Sequence, residues 1–160
     1  MDGSKAAPAL DSAVVEFIHG GVAVGVATRD DDLRPEFARG WGPEVSADGR
    51  WLRLCVSAPE GSRMRVNLER NGAVAVGFCP PTIARAVQLK GVATVVGEPE
   101  ADDLERAERH FGMFAAQTAQ IGAPAHFPER LFAGSGLFAI KFSIDEVFDQ
   151  SPGPTAGRRL

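Results

Sequence analysis

The chain is poor in the groups that anchor metals and staples. Its two cysteines, Cys55 and Cys79, form neither a CxxC pair nor zinc-ligand spacing with His19, His110 or His126. Both lie in apolar, strand-like runs, where the ordinary role of a free cysteine is that of a small buried hydrophobe. No run of about 18 apolar residues is present to span a bilayer as a helix. The opening MDGSKAAPALDSA has no basic cluster followed by an apolar core and no cleavage site, so the expected location is the cytoplasm. Positive charge is also scarce. Seventeen Lys and Arg against 21 Asp and Glu leave a net charge of −4 and a pI near 5.4, which excludes a broad basic face and with it a nucleic-acid partner. A local anion site stays compatible with that balance.

Several familiar site motifs are missing as well. HGGVAVGVATRD is not a dinucleotide fingerprint, because Val22 stands where the second glycine belongs and a turn into another strand follows. No GxSxG elbow presents a serine nucleophile. RDDDLRP lacks further spaced oxygen ligands and is expected to be a solvated hairpin tip, so no metal site is assigned.

What is present is strand pattern. With 44% hydrophobic and 24% charged residues among 160, the chain suffices for one cored domain. The division expected is a loose arm over 1–12, a domain over 13–150 and a Pro/Gly-containing tail over 151–160. Asp11 or Ser12 can cap a short helix through Val14, Val15 and Phe17, which Gly20 and Gly21 stop. VAVGVAT (22–28) and PEFARGWG (35–42) then follow at hairpin distance. WLRLCVS alternates, with Leu52, Leu54 and Val56 on the core face and Trp51, Arg53, Cys55 and Ser57 opposite. AVAVGF (73–78) and AVQLKGVATVVG (86–97) add one strand and then one long bent strand or two, broken at Pro80-Pro81.

The period changes in DDLERAERHFGMFAAQTA, where Leu104, Ala107, Phe111, Phe114, Ala115 and Thr118 recur at three and four and Asp102 and Glu105 have capping-box spacing. APAHFPERLF reads as a Pro-broken connection and GLFAIKFSIDEVFDQ as a strand pair. Short strands with two inserted helices predict a mostly β fold, a small, partly open antiparallel barrel.

One short stretch carries the clearest chemistry. In GSRMRVNLERN, Ser62 can cap a helix that buries Met64 and Leu68, with Arg63, Arg65 and Arg70 off that face. A helix start with two guanidinium groups in its first turn favours a bound anion, phosphate above all. The alternative is a solvated surface turn, with Arg70 merely complementing the helix C-terminus.

From about Val22 to Gln150 the sequence resembles the FMN-binding split-barrel family, the pyridoxamine 5′-phosphate oxidase-like proteins. The likeness rests on Arg34-Pro35 in a hairpin, SAPEGSRMRVNLERN after the third strand, RAVQLKGVATVV, and the closing VFDQSPGP. It implies a six-stranded antiparallel split β-barrel that binds FMN, with haem or a deazaflavin as alternatives. It also implies a homodimer with two shared flavin sites, acting on a small molecule. Ser57 matches the hydroxyl residue ending the third strand, and Ser62-Arg63 match the start of a Ser-Arg-Lys phosphate element. Met64 replaces its lysine, which leaves Arg65 to provide the second cation.

Arg85-Ala86 replaces an Arg-Gln pair. Gln88, on the face of Ala86, is the substitute donor to the ring, or else an ordinary solvent-facing residue. In PEFARGWG, Arg39 and Trp41 share the face that runs along the flavin in this family, though a tryptophan there equally serves as packing. Lys141 keeps one positive charge where a substrate-binding arginine motif stands in pyridoxamine-phosphate oxidase, so that activity itself is not expected. Two functions follow: a flavin-mediated oxidoreductase, in which no protein acid or base is named, or a non-catalytic flavin or haem protein for storage, sensing or delivery.

Overall fold

The computed structural model describes residues 8–58, 61–132 and 136–160. Residues 1–7 of the expected arm, and Pro59 and Glu60 of the SAPEGSRM motif, lie outside the described residues. The Asp11 carboxylate accepts from the Val14 N–H at 2.8 Å, so Asp11, not Ser12, caps α1 (Ser12–His19). The helix buries Val14 and Ile18.

Six strands carry the fold: β1 (Ala23–Arg29), β2 (Pro35–Val45), β3 (Trp51–Ala58), β4 (Ala73–Cys79), β5 (Val87–Gly97) and β6 (Gly136–Asp149). β1 pairs with β2 and β4, β2 with β3, β4 with β5, and β5 with β6, all antiparallel. β6 also pairs with β3 from Trp51↔Ser143 to Ala58↔Gly136, which closes the six strands into a barrel. Closure removes the long edges an open sheet would expose. The expected strand pair at the end of the chain is one continuous strand. β6 is long enough to bend round the barrel and face β3 with its first half and β5 along its length, with register shifts between Lys90 and Gly91 and between Ala93 and Val95. A Cβ on Gly91 would overlap the Ser143 carbonyl, so the first bulge depends on glycine.

Alternation decides the inside of the barrel. Leu52, Leu54 and Val56 are fully buried, as are Val26, Val76, Leu89, Ile140, Phe142 and Ile144 from the other walls. Each large aliphatic buried this way is worth about 1.5–3 kcal/mol. α2 (Met64–Asn71) plugs one end with Met64 and Leu68, as expected, and Asn67 Nδ2 donates to Thr28 Oγ1 at 3.2 Å, so the buried amide and hydroxyl satisfy one another.

α3 (Ala101–Gln120) lies across the outside of β2 and β3 and makes a second apolar cluster of Trp41, Cys55, Ala107 and Phe114. Its capping box is Glu100 with Asp103, not Asp102 with Glu105, and its buried face carries Asp103, Ala107, His110, Phe114 and Thr118, while Leu104 is exposed. Asp103 explains the shift. Its carboxylate binds Arg53 at 2.6 and 2.5 Å and Arg106 at 2.5 Å, and it accepts from the Glu100 N–H at 2.8 Å, so ion pairing draws this face of the helix inward. The expected Pro-broken connection contains a further helix, α4 (His126–Phe132).

Cys55 is buried, and burial pushes its thiol up to about 11, whereas Cys79 points outward from β4 and is exposed, against the expectation that both are core residues. The tail folds back on β6. Gly157 N–H donates to the Asp149 carbonyl at 2.7 Å, and the two-residue β7 (Arg158–Arg159) pairs with Phe148 and Asp149. No helix among the described residues is long and apolar enough to cross a membrane.

Candidate functional site

Strand register lines the outer barrel wall with one continuous belt. Ser57 faces Arg39, Arg39 faces Gly25, Gly25 faces Gly77, Gly77 faces Gln88, and Gln88 faces Phe148. All point away from the core, because the alternate positions Val56, Ala38, Val24, Val76 and Leu89 are buried. Arg39 and Gln88 therefore stand three strand spacings apart, about 14 Å, with only glycines between them. A Cβ on Gly77 would meet nothing within 4 Å, so the wall there is bare and open. The Phe37 ring covers Gly25, where a Cβ would lie 2.7 Å from it, and Arg39 stacks on that ring with its guanidinium carbon 5.7 Å from the centroid. On the same face, Ala27 and Ala75 keep the next row down equally flat.

At the far side of the belt, Gln88 Oε1 accepts from Gln150 Nε2 at 3.3 Å, and Lys90 lies 4.8 Å from the Phe148 ring centroid. The closing segment of the same chain thus borders the belt. Of the residues singled out from sequence, Arg39, Ser57 and Gln88 come together here. Ser57 is buried and Arg39 half-buried.

Trp41 shares the belt's face but is covered by α3. It is 2% exposed and sits 5.8 Å from His110, 5.8 Å from Phe111 and 5.9 Å from Phe114, centroid to centroid. In this chain it packs, and the indole is closed off from the bare wall. Lys141 is remote. It pairs in register with Arg53, four residues along β3 from Ser57, and its ammonium lies 5.2 Å from the Trp51 ring.

Ser62, Arg63 and Arg65 gather at the start of α2. Arg63, not Ser62, holds the N-cap position, and Ser62 Oγ accepts from the Met64 N–H at 3.1 Å one residue earlier. The same hydroxyl donates to Glu36 Oε2 at 3.1 Å. Arg65 is clasped by Glu69 and Glu98, each at 3.0 Å, with its guanidinium 5.9 Å from the Phe138 ring. Arg70 is paired with Asp31. Arg63 alone of the three makes no ion pair among the described residues. The helix start therefore offers one uncommitted cation and carries one carboxylate nearby.

The bare wall and the acidic clasps were absent from the sequence reading. A signal for the first was available: Val-Ala-Val-Gly occurs twice, in Val22–Gly25 leading into β1 and in Val74–Gly77 of β4, and antiparallel pairing of those strands brings the glycines opposite each other. Glu69 lies one helical turn from Arg65, a spacing present in the sequence, whereas only folding brings Glu98 to Arg65 and Glu36 to Ser62.

No protein-family model matches the chain, and no curated protein matches it. Solved structures do. A pyridoxamine 5′-phosphate oxidase candidate from Lactobacillus delbrueckii is 20% identical, with a TM-score of 0.53 over 88% of this chain and 93% of that one. HupZ of Group A Streptococcus is 14% identical, with a TM-score of 0.54 over 92% and 100%. An FMN-binding protein from Syntrophomonas wolfei is 12% identical, with a TM-score of 0.50 over 86% and 83%. Together with the closed six-stranded topology, these likenesses establish the fold of the chain as the split barrel.

Proposed function

We propose that the chain binds FMN on the belt and carries out flavin-mediated redox chemistry on a small molecule. The observation that carries this reading is the bare Gly77 backbone between Gln88 and the Phe37 ring, with Arg39 stacked on that ring, because a flat aromatic ring needs backbone-close approach on one side and hydrogen-bond donors at its edges. The Gln88 amide N–H₂ makes no hydrogen bond among the described residues, Arg39 supplies a cation at the other rim, and the Phe37 ring adds apolar contact. The likeness to an FMN-binding protein supports the choice of ring system. A flavin, when bound, supplies the hydride and electron chemistry itself; the chain's residues bind, orient and limit water.

The phosphate end fits less fully than the ring end. Arg63 is its anchor, Ser62 contributes a hydroxyl, and Arg65 reaches a phosphate only by leaving Glu69 or Glu98. A homodimer belongs to the same reading. The belt, Phe37 at 61% exposed and Val92 at 46% exposed form an apolar outer face that a second copy would cover while closing the site. The visible spectrum of protein loaded with FMN tests the reading: a perturbed oxidised-flavin spectrum bleached by dithionite or a nicotinamide donor supports it. A Soret band after haem addition with no flavin uptake transfers the site to haem. Flavin uptake without turnover of any donor makes the chain a carrier.

A further inference from the structure

A second site stands apart from the belt, on the other side of Trp41. Past Arg39, β2 bulges between Trp41 and Glu44, and Gly42 takes φ +61° with a would-be Cβ 2.6 Å from the Ala107 amide. The bulge and α3 are thus in direct backbone contact, and beside that contact lies a cavity of about 360 Å³ lined by His19, Glu44, Arg106, Arg109, His110 and Met113 among others.

Its two imidazoles are fixed in opposite tautomers. His110 Nε2 lies 2.9 Å from the Val22 carbonyl and must donate to it, which leaves Nδ1 a bare acceptor. That Nδ1 is buried in a residue only 2% exposed and has no hydrogen-bond partner among the described residues. His19 Nε2 instead accepts from the Val45 N–H at 3.3 Å, so its remaining nitrogen carries the proton. Desolvation lowers both rings from their ordinary value, His19 against the opposing charge of Glu44 and His110 down to about 4. The charges divide as clearly. Arg106 is taken by Glu44 at 3.0 Å and by Asp103, whereas Arg109 makes no ion pair among the described residues.

We propose that this cavity binds a small hydroxycarboxylate, with the carboxylate on Arg109 and the hydroxyl donating to His110 Nδ1. An unpaired guanidinium selects one negative charge, a buried bare acceptor selects a hydroxyl proton, and the His19 N–H at the rim takes a remaining oxygen lone pair. Met113 and Pro43 give an apolar side to the same space. The site needs no flavin and stands or falls separately from the belt.

The test uses three probes on the full chain at pH 7: mandelate, phenylacetate, which lacks the hydroxyl, and benzyl alcohol, which lacks the carboxylate. Long-range proton–nitrogen spectra of the labelled imidazoles report the contact at His110. Mandelate is expected to move the His110 Nδ1 resonance, phenylacetate to bind about tenfold more weakly, and Arg109→Ala to weaken both acids at least about tenfold while leaving benzyl alcohol unchanged. Arg109 is exposed, so the variant should fold, and an unchanged proton–nitrogen fingerprint verifies that. Equal binding of the three probes, indifference to Arg109→Ala, or no His110 shift at about 10 mM mandelate overturns the proposal.

Discussion

At the residue scale, the phosphate question turns on which arginine is free. Arg65 already has two carboxylate partners, so moving it to a phosphate exchanges one set of ion pairs for another, whereas Arg63 has no ion pair among the described residues to give up. Arg63→Ala should therefore weaken FMN by about 1.5–3 kcal/mol and leave riboflavin unchanged, and Arg65→Ala should cost FMN clearly less. Fluorescence titration of both ligands measures the difference; equal loss for FMN and riboflavin would move the phosphate elsewhere.

A second residue-scale prediction concerns acid. His110 ordinarily titrates at 6.5 but is held down to about 4 by burial, so as pH falls through that window the unfolded chain takes up a proton that the folded chain refuses. Stability then declines from pH 6.5 toward pH 4, by an amount on the order of 3 kcal/mol if the full shift is realised. His110→Gln should flatten the urea midpoint across that range even if it lowers it throughout; an unchanged slope would mean that His110 titrates normally.

At the element scale, one buried carboxylate joins α3 to β3, beside its apolar cluster and its other polar contacts. Asp103 is 1% exposed at its side chain, and the guanidinium of Arg53 beside it holds its carboxyl below the usual range. Removing it takes from Arg53 and Arg106 their shared buried partner and leaves them only the more exposed Glu100 and Glu44, so Asp103→Ala should cost about 3 kcal/mol in denaturant unfolding. A cost below about 1 kcal/mol would make the network a solvated surface feature.

The same helix shows what was and was not legible in the sequence. Its period was plain, since apolar residues recur at three and four. Its buried edge was displaced toward Asp103 and His110 because ion pairs made across 50 positions of sequence outweigh the exposure of Leu104. The strands were readable because alternation in WLRLCVS is a local signal. β6 was read as two strands because a bend forced by barrel closure leaves no local mark. Met64 and Leu68 fell where the pattern put them, whereas Ser62 lies one residue before the cap it was expected to form. Of the carboxylates clasping Arg65, Glu69 stands at helical spacing but Glu98 has no periodicity to betray it, and Trp41 could be placed on its face but not under its helix.

At the scale of the whole molecule, closure of the barrel sets Arg39, Gly25, Gly77 and Gln88 in one row, and the exposed apolar face around them calls for a cover. Sedimentation at micromolar concentration should give about twice the 16.9 kDa chain mass. Dilution into the monomer range should release flavin. A monomer with a full complement of FMN would show that each barrel completes its site alone.

The bare wall itself offers the most direct measurement. A Cβ at Gly77 meets nothing in the folded chain, so Gly77→Val adds bulk only to the open face and suits a strand. Titrating flavin fluorescence against wild type and variant, with urea midpoints as the control for folding, should show saturable FMN binding by wild type. Binding by Gly77→Val should be at least about tenfold weaker at an unchanged midpoint. Undiminished FMN binding by a folded Gly77→Val protein, or no binding by wild type, would contradict the assignment of the belt as the flavin site.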